Sequence, residues 1–84
     1  MPNKLSDIAF IELREAKNYL EELNVMVEGY GYITVNDALS HAGCMWAGPE
    51  GDYKGWSDIS KFSIYEKDCV FRIKMTKPVD ICEL

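Results

Sequence analysis

The chain has 84 residues and a mass of 9.6 kDa, and a globule of that size hides only roughly 60–65% of the surface its unfolded form exposes, so one domain with a small core is expected. With 48% apolar and 27% charged residues the composition excludes a disordered tail, and no apolar run approaches the ~20 residues of a membrane-spanning helix. The formal net charge of -5 opposes attraction to phosphate backbones and disfavours direct nucleic-acid binding.

Residues 6–24, SDIAFIELREAKNYLEELN, contain neither Gly nor Pro, and Ser6 stands where it can cap a first turn with Asp7 beside the positive end of the dipole. The segment predicts a long helix. At about 100° per residue, Leu5, Ala9, Leu13, Ala16, Leu20 and Leu23 form one stripe that should face the core. Phe10 and Ile11 fall outside that stripe, so another segment covers them or a partner does.

After Asn24 the segment VMVEGYG lacks clear periodicity, and Gly29 with Gly31 predicts a turn. YITV, residues 32–35, has strand composition. Asn36 then precedes DALSHA and Gly43, an N-cap and a C′ glycine about two turns apart, which predicts a short helix. Residues 43–58, GCMWAGPEGDYKGWSD, hold four of the six glycines, and read as a connection without regular structure.

Residues 61–75, KFSIYEKDCVFRIKM, alternate on both sides of Lys67-Asp68 and predict a β-hairpin. A turn centred on those two residues, or a four-residue loop from Glu66 to Cys69 in the same register, pairs Ile64 with Phe71 and Phe62 with Ile73 on one face. Tyr65 with Val70 and Ser63 with Arg72 then share the other. Pro78 limits the second strand. The expected architecture is α+β: one long N-terminal helix packed on a small antiparallel sheet, with a short second helix and a C-terminal hairpin.

Three blocks, GYITVNDALSHAG (31–43), DYKGWSDIS (52–60) and a two-strand segment ending in KPVDI (77–81), occur in an order that resembles a group of small proteins of uncharacterised function encoded by phages and prophages of Gram-positive bacteria. Those proteins carry a Gly-Tyr-x-Thr-Val stretch, a Gly-Trp-Thr-Asp-Leu-like turn and a hairpin finishing near Pro-x-Pro. The resemblance covers roughly residues 29–81 and leaves out the first helix. This chain departs from the pattern with Asp68-Cys69 where Asp-Gly is usual, and with Met75-Thr76-Lys77 in place of a Leu-Pro-rich exit.

Cys44, Cys69 and Cys82 are an odd number at irregular spacing, which argues against a disulfide framework and predicts reduced thiols, and the amphipathic start without a signal-peptide pattern predicts an intracellular setting. His41 and Cys44 have the spacing of half a metal site, but Cys69 and Cys82 are not the closely spaced pair that completes one, and Cys69 alternates with Phe71 and Ile73 as a packed thiol would. His41 is the only histidine, and the segment holds no phosphate loop or dinucleotide fingerprint. No cofactor, metal or catalytic residue is therefore expected.

The aromatics of the glycine-rich stretch are the better functional candidates, because such side chains give large contact area at low conformational cost. Trp56 is expected to close the core, whereas Trp46 and Tyr53, with Phe10 and Ile11, are candidate partner-binding residues. The resemblance implies a phage accessory protein, in the host cytoplasm or the virion. Its expected action is to bind a host or phage protein, with the acidic body covering a basic patch as inhibitors of host defence do. The alternatives are an assembly protein that self-associates through Phe10, Ile11 and the sheet edge, and a regulatory module stabilised by metal at His41 and the cysteines.

Overall fold

The computed structural model describes Leu5, residues 8–44 and residues 48–83. The order of elements is β1 (Ala9–Phe10), α1 (Leu13–Tyr30), β2 (Ile33–Thr34), α2 (Val35–His41), a 3-10 turn (Pro49–Asp52), β3 (Lys54–Trp56), β4 (Ser63–Lys67), β5 (Val70–Lys74), β6 (Val79–Asp80) and a last 3-10 turn (Ile81–Glu83). The class is the expected α+β, but the strands form two three-stranded antiparallel sheets rather than one. β1-β5-β4 is the first sheet and β2-β3-β6 the second.

The long helix lies later than its composition predicts. It starts at Leu13 after an extended Glu12 that makes no side-chain cap, so Ser6, which lies outside the described residues, is not its N-cap. The segment before it alternates instead: Ile8 is buried, Ala9 exposed and Phe10 half-buried, which is the period of a strand. β1 uses that alternation to pair Ala9 with Arg72 and Phe10 with Phe71. At the other end α1 runs through Gly29 to Tyr30 and stops at Gly31, whose φ of 87° places it in the left-handed region and whose N–H donates to the Val27 carbonyl at 2.7 Å. The buried stripe is accordingly Ala16, Tyr19 and Leu23, while Leu13 is exposed.

The short helix α2 is capped by Thr34 and not by Asn36. The Thr34 hydroxyl accepts from the Asp37 N–H and the Asp37 carboxylate accepts from the Thr34 N–H, each at 3.0 Å, a reciprocal capping box. The far end is closed by Gly43 as expected. Its N–H donates to Ser40 O and that of Cys44 to Leu39 O, with Gly43 at φ 75°.

The stretch expected to be irregular contains β3, the centre of the second sheet. Gly55 is required there, because a Cβ at that position would collide with the Ile33 carbonyl across the strand pair. Asn36, freed from capping, turns inward and clasps the preceding loop: its Nδ2 donates to the Gly48 carbonyl and to Asp52 Oδ1, both at 3.0 Å. Gly51 lies against that amide, with no room for a side chain.

Trp56 closes the core as expected, being 3% exposed, with its indole N–H donating to Thr76 O at 2.8 Å and its ring edge-on to Phe62 at 5.1 Å. In the hairpin the strands pair Ile64 with Ile73, Tyr65 with Arg72 and Lys67 with Val70. That is a shift of two residues from the expected register, so every side chain keeps its predicted face while its partner changes. The turn is Asp68-Cys69, at φ 55° and 67°, both in the left-handed region that a two-residue turn of this twist demands. Cys69 is consequently exposed at the tip and is not a packed thiol.

Candidate functional site

α1 runs on to Tyr30, past its last buried residue Leu23, and its C-terminal end walls one of the concavities of the molecule. Tyr30 projects from the same side of the helix as Tyr19, Leu23 and Met26, but lies beyond the core those residues enter, and is 76% exposed. The chain turns at Gly31, and Tyr32, the residue before β2, lines the same notch. Met26, Tyr30, Tyr32, Thr34 and Asp37 line a notch of about 350 Å³. Met26 and the two tyrosines give it apolar and aromatic surface, and Thr34 and its one charged residue, Asp37, are held together by the capping box at the start of α2.

This arrangement can hold a protruding side chain. Two tyrosines offer broad faces and hydroxyls with few rotatable bonds, and a carboxylate beside aromatic faces suits a lysine or arginine from a partner. Neither tyrosine stood out in the sequence, because the Gly29 and Gly31 pair reads as a turn and hides the last helical residue. The available signal was the spacing: Tyr19, Leu23, Met26 and Tyr30 continue one helical face across Gly29.

The residues singled out from sequence do not converge on one place. Phe10 faces inward, its ring 5.1 Å from that of Tyr19, so another segment of the chain covers it. Ile11, next to it, is 79% exposed at the margin of the first sheet. Tyr53 is 69% exposed on the second sheet, where it leaves the Pro49–Asp52 turn and its carbonyl accepts from the Ile81 N–H at 2.8 Å. It stands at the opposite end of the β2-β3 pair from Tyr32. Trp46 lies outside the described residues.

The titratable groups are arranged for structure. The Tyr19 hydroxyl donates to the Ala38 carbonyl at 2.6 Å, tying α1 to α2, and burial, reinforced by Cys44, pushes its ionisation well above the ordinary value of 10.0. Asp58 is exposed and accepts from the Ser60 N–H at 2.8 Å, which holds its carboxyl below the usual range and shapes the turn after Trp56. His41, in the last turn of α2, faces Glu22 of α1 at 3.4 Å. Cys69 and Cys82 are exposed on separate elements, and among the described residues no group of three or more His, Cys, Asp or Glu is placed to share an ion.

Compared with models of protein families, with curated proteins and with solved structures, the chain finds no match in any of the three. No helix among the described residues is long and apolar enough to cross a membrane.

Proposed function

We propose that this is a non-enzymatic accessory protein of the phage type, whose action is to bind another protein, of host or phage, through the notch of Met26, Tyr30 and Tyr32. The observation that carries the reading is Tyr30, a large aromatic held 76% exposed by a formed helix end, beside a second tyrosine and a fixed carboxylate. Keeping such a residue in water gives up hydrophobic stabilisation that burial would provide, and a contact with another molecule recovers it. The chain's net charge of -5 favours a basic partner surface and speeds encounter with it. A host-defence protein whose basic, nucleic-acid-binding surface is covered in this way fits both the charge and the phage-type resemblance.

Affinity capture from infected host cells tests this with the parent chain and Tyr30→Ser/Tyr32→Ser. The double substitution removes two aromatic contacts of hot-spot type, together worth on the order of 2 kcal/mol or more, so retention of the specific partner should drop by about 30-fold. Capture unchanged by the substitutions would overturn the site. The absence of any protein retained by the parent would overturn the binding reading.

A further inference from the structure

The notch at the end of α1 is equipped for one kind of side chain. Asp37 is its only charged residue, and among the described residues no cation lines it. One carboxylate oxygen of Asp37, Oδ2, accepts from the Thr34 N–H, while Oδ1 makes no bond among the described residues and is left to accept from outside. The Asp37 N–H, a first-turn donor of α2 that would oppose a cation, is itself taken by the Thr34 hydroxyl. The capping box therefore holds the carboxylate in place before anything binds, so a guest does not have to order it.

The two tyrosines are open in the same way. The ring contacts among the described residues are Phe10 with Tyr19 and Trp56 with Phe62, so neither Tyr30 nor Tyr32 stacks on another ring, and both are exposed. Neither hydroxyl makes a hydrogen bond among the described residues. Met26, half-buried against the core, completes the lining with apolar surface. Ring faces, free acceptors and one fixed negative charge thus meet in a space of about 350 Å³.

We infer that the notch takes an arginine side chain of the protein partner, in preference to lysine. This rests on the notch being the contact site and adds what enters it. Lysine satisfies the charge alone: its ammonium is compact and strongly hydrated, and an open notch does not strip that water. A guanidinium is planar and more weakly hydrated. Its face can lie on a tyrosine ring while its edge donates to Asp37 Oδ1 and to a tyrosine hydroxyl, because its five N–H groups share the plane. The three methylenes behind it suit the Met26 surface. Arginine is also the cation that nucleic-acid-binding surfaces use most for planar recognition, so a protein that covers such a surface meets this side chain there.

The test uses isolated side chains and so does not depend on knowing the partner. Nα-acetyl-arginine methylamide is titrated into the isotope-labelled full chain and followed by NMR, beside the lysine analogue and the citrulline analogue, which has nearly the shape of arginine without its charge. The same titrations are run on Asp37→Asn, whose side-chain oxygen can still accept from the Thr34 N–H and keep the cap, with folding checked by circular dichroism. Stacking and one charge-assisted bond at an exposed site give arginine a Kd on the order of 10 mM. Its shifts should saturate and centre on Met26, Tyr30, Tyr32 and Asp37. Lysine should bind about threefold more weakly or worse, and citrulline on the parent, like arginine on Asp37→Asn, should lose about fivefold or more. Lysine or citrulline as tight as arginine, or no saturable arginine shift at these residues, would each overturn the inference. Partner capture lost in Tyr30→Ser/Tyr32→Ser without an arginine preference here rejects the guest and keeps the notch, whereas capture unchanged by those substitutions rejects the notch and the guest with it.

Discussion

Replacing Cys69 by glycine should stabilise the fold, and the sign of that change tests where the hairpin turns. Cys69 sits at φ 67°, next to Asp68 at φ 55°. An L-residue in the left-handed region costs about 1–2 kcal/mol, less for Asp, whose short polar side chain bonds locally, and essentially nothing for glycine. Set against this relief is the greater freedom that glycine gives the unfolded chain, about 0.5–1 kcal/mol. A net gain of about 0.5–1 kcal/mol remains. At roughly 2.1 cal/mol/K of unfolding entropy per residue, the whole chain should melt about 3–6 °C higher.

With a two-residue turn centred on Lys67-Asp68, Cys69 would instead be a strand residue opposite Glu66, and glycine there would weaken the ladder. The assay is thermal and urea denaturation of the parent, Cys69→Gly and Cys69→Ala under reducing conditions, so that no exposed thiol cross-links. Alanine keeps its Cβ and should leave the melting temperature near that of the parent. A glycine variant no more stable than the alanine variant would refute the reasoning.

Further outcomes follow from the packing. Gly55→Ala pushes a methyl into the Ile33 carbonyl and should cost about 1–3 kcal/mol by urea denaturation, with hydrogen exchange accelerated first at the β2-β3 pair. Asn36→Ala removes both bonds that clasp the Pro49–Asp52 turn and should cost about 2 kcal/mol, read as a lower denaturation midpoint at unchanged slope. Tyr19 gives an alkaline signature. Because its ionisation is raised in the folded state, the unfolded chain releases that proton first, and stability is intact below the ordinary value of 10.0 and falls above it. The loss due to this group is about 1.4 kcal/mol per pH unit, and Tyr19→Phe, though less stable at neutral pH for want of the Ala38 bond, should lose that component of the slope.

Most of the architecture is readable from residue pattern, and the departures have local causes. Ile8, Ala9 and Phe10 alternate over too few residues to outweigh the absence of Gly and Pro, so a two-residue strand hides at the front of a helical sequence. Gly29 reads as a break, yet it sits on the exposed side of α1, where a glycine costs only about 1 kcal/mol. The terminating residue is Gly31, because only there does the chain need a positive φ. The hairpin faces were legible because a slip of two residues preserves alternation, whereas the turn was not, because Asp-Cys lacks the glycine that usually marks such a position. Trp56 could be assigned to the core from its place before the hairpin. The strand that delivers it could not, since Gly55 looks like a loop residue until its approach to Ile33 is known.

The candidate site was the least legible part. Tyr53 and Ile11 are exposed as candidate contact residues must be, yet they stand by different sheets, and Phe10 is taken up by Tyr19. The notch depends on where α1 ends. Moving that end from Asn24 to Tyr30 is what brings Tyr30 beside Tyr32 and Asp37.

Site-directed photo-crosslinking in infected cells tests the proposed mode of action most directly. A benzophenone residue at position 32 lies in the notch, and one at position 67 lies at the hairpin tip, near the other end of a helix about 27 Å long. The account predicts a covalent adduct with one host or phage protein from position 32 and not from position 67, abolished when Tyr30 is changed to serine. An adduct of equal yield from both positions, or none from position 32 in cells where the protein is abundant, would contradict it.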